Sequence, residues 1–162
     1  MNSRPEILAP VSTREGVCAA VGCGADAVYL GGKDFNARKN AHNFTYDELK
    51  LATDYCHARD VKVYLAVNTL VFDSELRAFA QTIRAACECG VDAFIVQDLG
   101  AADIIRSIAP GIRMHASTQM TIHSPAGARF AASLGFERIV AAREMSREEL
   151  GQLVKESPIE VE

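Results

Sequence analysis

A chain of 162 residues, 49% hydrophobic and 23% charged, is long enough to bury one real core and has the balance of an ordinary globular domain. Its formal charge of −4 argues against general polyanion binding, which draws on a basic excess. The first ten residues, MNSRPEILAP, carry no long apolar run after a basic start, and nowhere do about 18 apolar residues run uninterrupted, so no membrane contact and a cytoplasmic location are expected.

Along the chain one unit recurs: an apolar strand, a polar turn, a cap, an amphipathic helix, a glycine. The first strand is predicted over Glu6–Val11, followed by a capping box at Ser12-Thr-Arg-Glu15, in which the hydroxyl takes a backbone N–H and the acid three residues on reaches back. Gly24 ends that helix, and a second strand spans Ala27–Gly31. A long loop, Gly31-Gly32-Lys33-Asp34-Phe35-Asn36-Ala37-Arg38, leads to Asn43-Phe44, a candidate hydrophobic staple before the box Thr45-Tyr-Asp-Glu48. Leu49, Ala52 and Cys56 mark the inner face of the second helix.

The third strand covers Lys62–Asn68, with Asp73 placed to cap the next helix. There Leu76, Phe79, Ala80, Ile83 and Cys87 form one helical stripe that stops at Gly90. Strand four is Ala93–Asp98, before a helix whose buried side carries Ile104, Ile105 and Ile108. Arg113–Ser117 is strand five, and Ser124-Pro125 reads as a cap with proline at the first helical position. Gly135, strand Arg138–Ala142, the box Ser146-Arg-Glu-Glu149 and a last strand start at Ile159–Glu162 complete the series.

The unit is also repeated in wording. Gly24-Ala-Asp-Ala-Val-Tyr-Leu resembles Gly90-Val-Asp-Ala-Phe-Ile-Val, and Gly135-Phe-Glu-Arg-Ile-Val is a weaker third copy. Short strands that are apolar through their middles and alternate with helices predict a parallel sheet. The first strand–helix turn has no GxGxxG, which weighs against a dinucleotide fold. A (β/α)8 TIM-barrel-like α/β fold fits better, but a whole barrel takes about 250 residues. We therefore expect residues 1–162 to form a single incomplete barrel of six to seven parallel strands with outer helices.

The five cysteines, Cys18, Cys23, Cys56, Cys87 and Cys89, are odd in number and fall on predicted helices or their ends. Cys87 and Cys89 are two residues apart on a helix and so point to different faces. With no CxxC and no histidine pair at zinc spacing, small buried hydrophobes are the better reading, and no metal is assigned.

In a barrel the carboxyl ends of the strands converge on one mouth. That gathers Gly31 and Gly32, Asn68, Gln97 and Asp98, the cluster His115, Ser117, Thr118 and Gln119, and the pair Arg143-Glu144. Alternation puts His115, Ser117 and Gln119 on one side of their strand and Met114, Ala116 and Thr118 on the other. If the first set faces the mouth, His115 can serve as acid, base or ligand, with Asp98 and Gln97 orienting it or binding substrate. A satisfied core histidine explains the same pattern. The glycines could cradle an anion beside Arg38, although a tight turn accounts for them equally, and Arg143-Glu144 is either a binding pair or a salt-bridged loop. No GxSxG elbow and no HExxH occurs, and Ser124 is better used as a cap than as a partner of His123.

Several stretches together carry a resemblance: Ala25–Gly32 (ADAVYLGG), Phe35–Arg38 with Asn43-Phe44, Val67–Leu70 (VNTL), Val96–Gly100 (VQDLG) and His115–Met120 (HASTQM). In this order they resemble the N-terminal barrel part of the peptidase U32 family, the collagenase-like peptidases, from about Pro5 onward. The resemblance implies a barrel enzyme, the N-terminal part of a longer architecture, that hydrolyses peptide bonds by an unknown catalytic type. In that reading the present chain contributes substrate-binding residues and is inactive alone. It equally implies a second activity found in the family, oxygen-independent hydroxylation of RNA bases or of ubiquinone precursors, with an iron–sulfur cluster held by cysteines. The family's signature, a Glu followed by a His-Gly and cysteine-rich stretch, would start at Glu162, so this chain's own cysteines are not the cluster ligands. The substrate is thus a peptide or an RNA. A non-catalytic assembly module is the third reading, because an incomplete barrel exposes edge strands and is expected to form homo-oligomers through them.

Overall fold

In a computed structural model, residues 4–37 and 43–162 are described. Seven strands lie in one sheet in the order of the chain: β1 Leu8–Pro10, β2 Ala27–Gly31, β3 Lys62–Val67, β4 Ala93–Val96, β5 Arg113–Ala116, β6 Arg138–Ile139 and β7 Glu160–Val161. Each pairs in parallel with its neighbours in sequence. Between them run α1 Arg14–Gly22, α2 Tyr46–His57, α3 Leu76–Cys89, α4 Leu99–Ile108, α5 Pro125–Ser133 and α6 Arg147–Glu156. Parallel strands in sequence order with a helix between each successive pair are the barrel pattern, and the predicted incomplete α/β barrel is what forms.

The strands sort their side chains by alternation. Val28 and Leu30, Val63, Leu65 and Val67, Phe94 and Val96, and Met114 and Ala116 face the helices and fill the main core. The opposite face holds a smaller cluster: Ala27, Tyr64, Ala93 and Ile95, with Leu8 and Tyr29 packed against it. That inner face is curved. Glu6, just before β1, bonds Arg138 on β6, 132 residues away in sequence, so the two flanks of the sheet meet across the interior at its base.

Helix ends follow the sequence closely, with three local differences. Thr45 and Ser146 form complete capping boxes with Glu48 and Glu149, and Ser124 caps α5 with Pro125 in its first turn. Gly24, Gly90 and Gly135 take φ of 87°, 86° and 85°, the left-handed backbone that only glycine adopts without strain. The first cap, however, is Thr13, whose hydroxyl accepts from Gly16 N, because the helix begins one residue later than Ser12 would require. Asp73 opens a 3-10 turn at Asp73–Glu75 and makes no cap; the carboxylate of Glu75 instead accepts from Phe72 N. The buried stripe of α3 is Phe79, Thr82, Ile83, Ala86 and Cys89, while Leu76, its first residue, is exposed. The polar Thr82 is tolerated there because Tyr46 Oη donates to its hydroxyl at 3.1 Å. Phe79 and Ile83 are fully buried, each stabilising by about 1.5–3 kcal/mol.

Candidate functional site

The barrel interior is polar at both ends, and the two ends do different things. At the base, three donors make four hydrogen bonds to one carboxylate. Arg138 Nη1 donates to Glu6 at 2.6 Å, Lys62 Nζ at 2.9 Å and the Tyr64 hydroxyl at 2.9 Å and 3.0 Å to the two oxygens. Arg138, only 8% exposed, also donates through Nε and Nη2 to Glu160 at 2.8 Å and 2.6 Å. Burial alone would raise the Glu6 pKa; the bonds from Arg138, Lys62 and Tyr64 reverse that and hold it at about 2. Burial and the Glu6 carboxylate together push the Tyr64 phenol well above its usual value. This network joins the segment before β1 to β3, β6 and β7.

The other end is open. A cavity of about 430 Å³, within the roughly 300–1,000 Å³ of small-molecule sites, lies at the carboxyl ends of the strands. Its wall carries six of the residues predicted from strand ends: Asn68, Ser117, Thr118, Gln119, Arg143 and Glu144. Ser117 and Thr118 both reach it although alternation separates them. The strand stops at Ala116, and Thr118–Met120 turns into a 3-10 helix with Thr121 in the left-handed region at φ 53°. Ser117 Oγ accepts from Gln119 N at 3.3 Å and from Asn68 Nδ2 at 3.4 Å, while Asn68 Oδ1 accepts from Ala37 N at 3.1 Å. The Asn68 amide thus joins the loop after β2 to the end of β5.

Other predicted residues are placed elsewhere. Asp98 does not line the cavity: its Oδ1 caps α4 through Ala101 N at 3.0 Å, and its Oδ2 holds Val71 N at 3.2 Å. Both oxygens are committed to backbone, so it does not orient His115. Gln97 is half-buried and outside the cavity lining. Gly31 and Gly32 lie outside the cavity lining. A side chain at Gly31 would stand 2.8 Å from Asn36 Cγ and 3.1 Å from Asn43 Oδ1, so close approach is the reason for that glycine. Gly32 bridges Phe44, which is buried in the main core with Leu49 as the staple expects. Arg38 lies outside the described residues.

His115 is fully buried, and it is the largest departure from the expected site. It faces the interior, paired in register with Ile95, and packs edge-on against Tyr64 with ring centroids 4.7 Å apart. Burial first, then the guanidiniums of Arg138 and Arg113, lower its pKa to about 3. A ring that weakly basic and shut from solvent is poorly matched to acid–base work near neutrality.

Sequence reasoning missed part of the lining. Tyr29, Ala66, Ile95 and Val140 line the cavity as well, together with Ala37, Thr121 and Glu162. Counting back two residues from Gly31, Asn68 and Gln97, as His115 stands to Ser117, would have found Tyr29, Ala66 and Ile95.

The iron–sulfur cluster implied by the resemblance finds no ligand set in the residues present. Cys18 sits on α1 and Cys23 at its end, Cys56 on α2, and Cys87 and Cys89 near the end of α3, all on the helical layer away from the cavity. Burial pushes the Cys56 thiol up to about 11 and raises Cys87 and Cys89, which keeps them protonated and poor ligands. Among the described residues no group of three or more His, Cys, Asp or Glu could hold a metal ion, and no helix is long and apolar enough to cross a membrane.

Comparison with known proteins adds the following. A family model described as peptidase family U32 matches residues 12–162. The chain is 38% identical over 147 residues to a 23S rRNA 5-hydroxycytidine synthase of Escherichia coli, covering 91% of this chain and 22% of that protein. It is 36% identical over 154 residues to tRNA hydroxylation protein P of Helicobacter pylori, covering 94% and 36%. To a collagenase of Porphyromonas gingivalis it is 34% identical over 146 residues, covering 90% and 34%. The chain therefore spans only about a fifth to two fifths of the length of the curated relatives it matches. Among solved structures, the U32 peptidase Mk0906 superposes with a TM-score of 0.76 at 15% identity, covering 99% of this chain and 68% of that one. At that identity the likeness speaks to fold alone.

Proposed function

The chain belongs to peptidase family U32, and from that premise we propose that it is the substrate-binding barrel portion of an enzyme that hydroxylates an RNA base. The observation that carries this reading is the chemistry of the strand-end cavity. Its wall offers amides (Asn68, Gln119), hydroxyls (Ser117, Thr118), a guanidinium and a carboxylate (Arg143, Glu144) together with apolar Ala66, Ile95 and Val140. This suits a planar heterocycle with donors and acceptors on its edge, as a base turned out of its stack presents. Relatives named for rRNA and tRNA hydroxylation favour the same substrate.

In this role the chain's residues bind, orient and exclude water. Asn68, Gln119 and Arg143 read the edge of the base, and Ile95 and Val140 take its face. An iron–sulfur group, when a family member carries one, supplies electron transfer, and none of the residues described here holds it. The charge of −4 argues against general polyanion binding by this chain and is compatible with a local basic patch.

Peptide hydrolysis is the second reading, favoured by the identity to the Porphyromonas collagenase. Against it, the cavity lining holds no nucleophile next to a base: Ser117 Oγ is engaged by Gln119 N and Asn68, and the His115 ring bonds to neither. The two readings separate in a binding experiment with fluorescent single-stranded RNA and fluorescent gelatin. RNA binding that weakens about tenfold in Asn68→Ala supports the hydroxylase reading. Gelatin binding with no RNA binding reverses it.

A further inference from the structure

A second cavity, of about 500 Å³, lies in the helical layer between α1 and α2 and shares no lining residue with the strand-end cavity. From α1 come Arg14, Val17 and Cys18, spaced i, i+3, i+4; from α2 come Glu48, Leu51, Ala52 and Tyr55, spaced i, i+3, i+4, i+7. Residues at those spacings share one helix face, so two stripes border a groove that runs along the helices. From Glu48 to Tyr55 it extends about 10 Å, at 1.5 Å of rise per residue. Its middle is apolar. Val17 and Phe44 belong to the main core, and Leu51 keeps 66% of its surface in water.

The two ends differ in chemistry. Where both helices start stands Arg14, exposed, its guanidinium in no ion pair with any described residue. It is the first residue of α1, where the positive end of the helix adds to its charge. Glu48 shares this end, but its carboxylate is drawn to the α2 cap, accepting from Thr45 N at 2.8 Å and Thr45 Oγ1 at 2.9 Å. At the other end the Cys18 thiol bonds the Tyr55 hydroxyl and raises its pKa, and the Arg59 guanidinium lies 3.8 Å from the centroid of the Tyr55 ring. A thiol engaged in this way packs as a small hydrophobe, and the ring beside it is held in place by the cation.

We propose that the α1–α2 groove binds a medium-chain carboxylate, its acid paired with Arg14 and its hydrocarbon laid along Leu51 toward Cys18 and Tyr55. One exposed arginine holds a bare carboxylate weakly, and a hydrocarbon alone makes no use of the cation; joined in one molecule, they use both features of the groove. Octanoate, extended, is of matching length. The inference stands apart from the RNA-base reading, which concerns the other cavity.

The test uses the whole chain and octanoate as probe. Alkylation of Cys18 by iodoacetamide is followed by peptide mass spectrometry. Cys23, exposed and outside the groove lining, serves as the control in the same molecule. Octanoate is expected to slow alkylation of Cys18 and leave that of Cys23 unchanged. The concentration giving half-protection should rise about threefold for each methylene removed, from octanoate through hexanoate to butanoate. Arg14→Gln, an exposed change at the first turn of α1, should need about fivefold more octanoate and respond to 1-octanol as wild type does. Equal protection of Cys18 and Cys23 would mark general coating of the surface and overturn the site. Equal half-protection in wild type and Arg14→Gln, or no protection of Cys18 at octanoate concentrations just short of micelles, overturns it as well. If the thiol reacts too slowly to follow, NMR titration decides: amide shifts centred on Val17, Leu51 and Tyr55 support the groove, and shifts confined to other elements refute it. None of these failures touches the strand-end cavity, whose RNA binding is measured separately.

Discussion

Replacing Glu6 with glutamine probes the network that closes the barrel base. The substitution keeps the size and one carbonyl acceptor but removes the charge that Arg138, Lys62 and Tyr64 converge on. The native carboxyl is displaced from 4.5 to about 2, and at about 1.36 kcal/mol per unit this corresponds to about 3 kcal/mol. Glu6 is 20% exposed and Arg138 8%, but Lys62 is 46% exposed, so solvent screening removes part of this. The sign is that of a depressed acid: the stabilisation is complete above the unfolded value near 4.5 and disappears as the pH falls toward 2. We expect urea unfolding at pH 7 to show Glu6→Gln about 2–3 kcal/mol less stable, with the difference from wild type shrinking steadily below pH 4.5. Removing Arg138 as well, as Arg138→Met, should cost clearly less than the two single losses combined, because the second change relieves a cation left without its partner. A Glu6→Gln loss under about 1 kcal/mol, or one that stays constant from pH 7 to pH 3, refutes the reasoning.

His115 gives a separate acid window. Its folded pKa of about 3 lies below the usual 6.5, so the unfolded chain binds the proton first and stability falls as the pH drops from 6.5 toward 3. In His115→Leu the slope between pH 6.5 and 4.5 should flatten, which an unfolding series over that range reads directly. At the first helix, Thr13→Ala should cost about 1 kcal/mol and Ser12→Ala close to nothing, a contrast visible in thermal melts. Among the described residues β1 and β7 each pair on one side only, so their free edges are expected to support self-association. Light scattering over a concentration series should show mass rising with concentration, and a constant monomer mass would contradict this.

Much of the fold was legible because local and global signals agree. The three left-handed glycines, the boxes at Thr45 and Ser146 and the Ser124-Pro125 start each mark a boundary by backbone chemistry alone. The errors arise at element starts. A 3-10 turn at Asp73–Glu75 precedes α3, whose buried face excludes Leu76, and nothing in local propensity separates that turn from one more turn of helix. The mouth was legible as a list of strand ends, but depth was not. Asp98 ends its predicted strand and is consumed as a helix cap, whereas His115 lies within its strand and is fully buried. Which of the two fates a polar residue near a strand end meets depends on the stagger of neighbouring strands, a long-range property that no short window contains.

The central claim is that the strand-end cavity receives an RNA base. Photo-crosslinking with a short single-stranded RNA carrying 4-thiouridine, followed by mass spectrometry of the labelled peptides, tests it most directly. A base seated in the cavity gives adducts within residues 117–121 and at Arg143 or Glu144, competed away by free cytidine. Adducts confined to the outer faces of the helices, unaffected by the nucleoside, would contradict it.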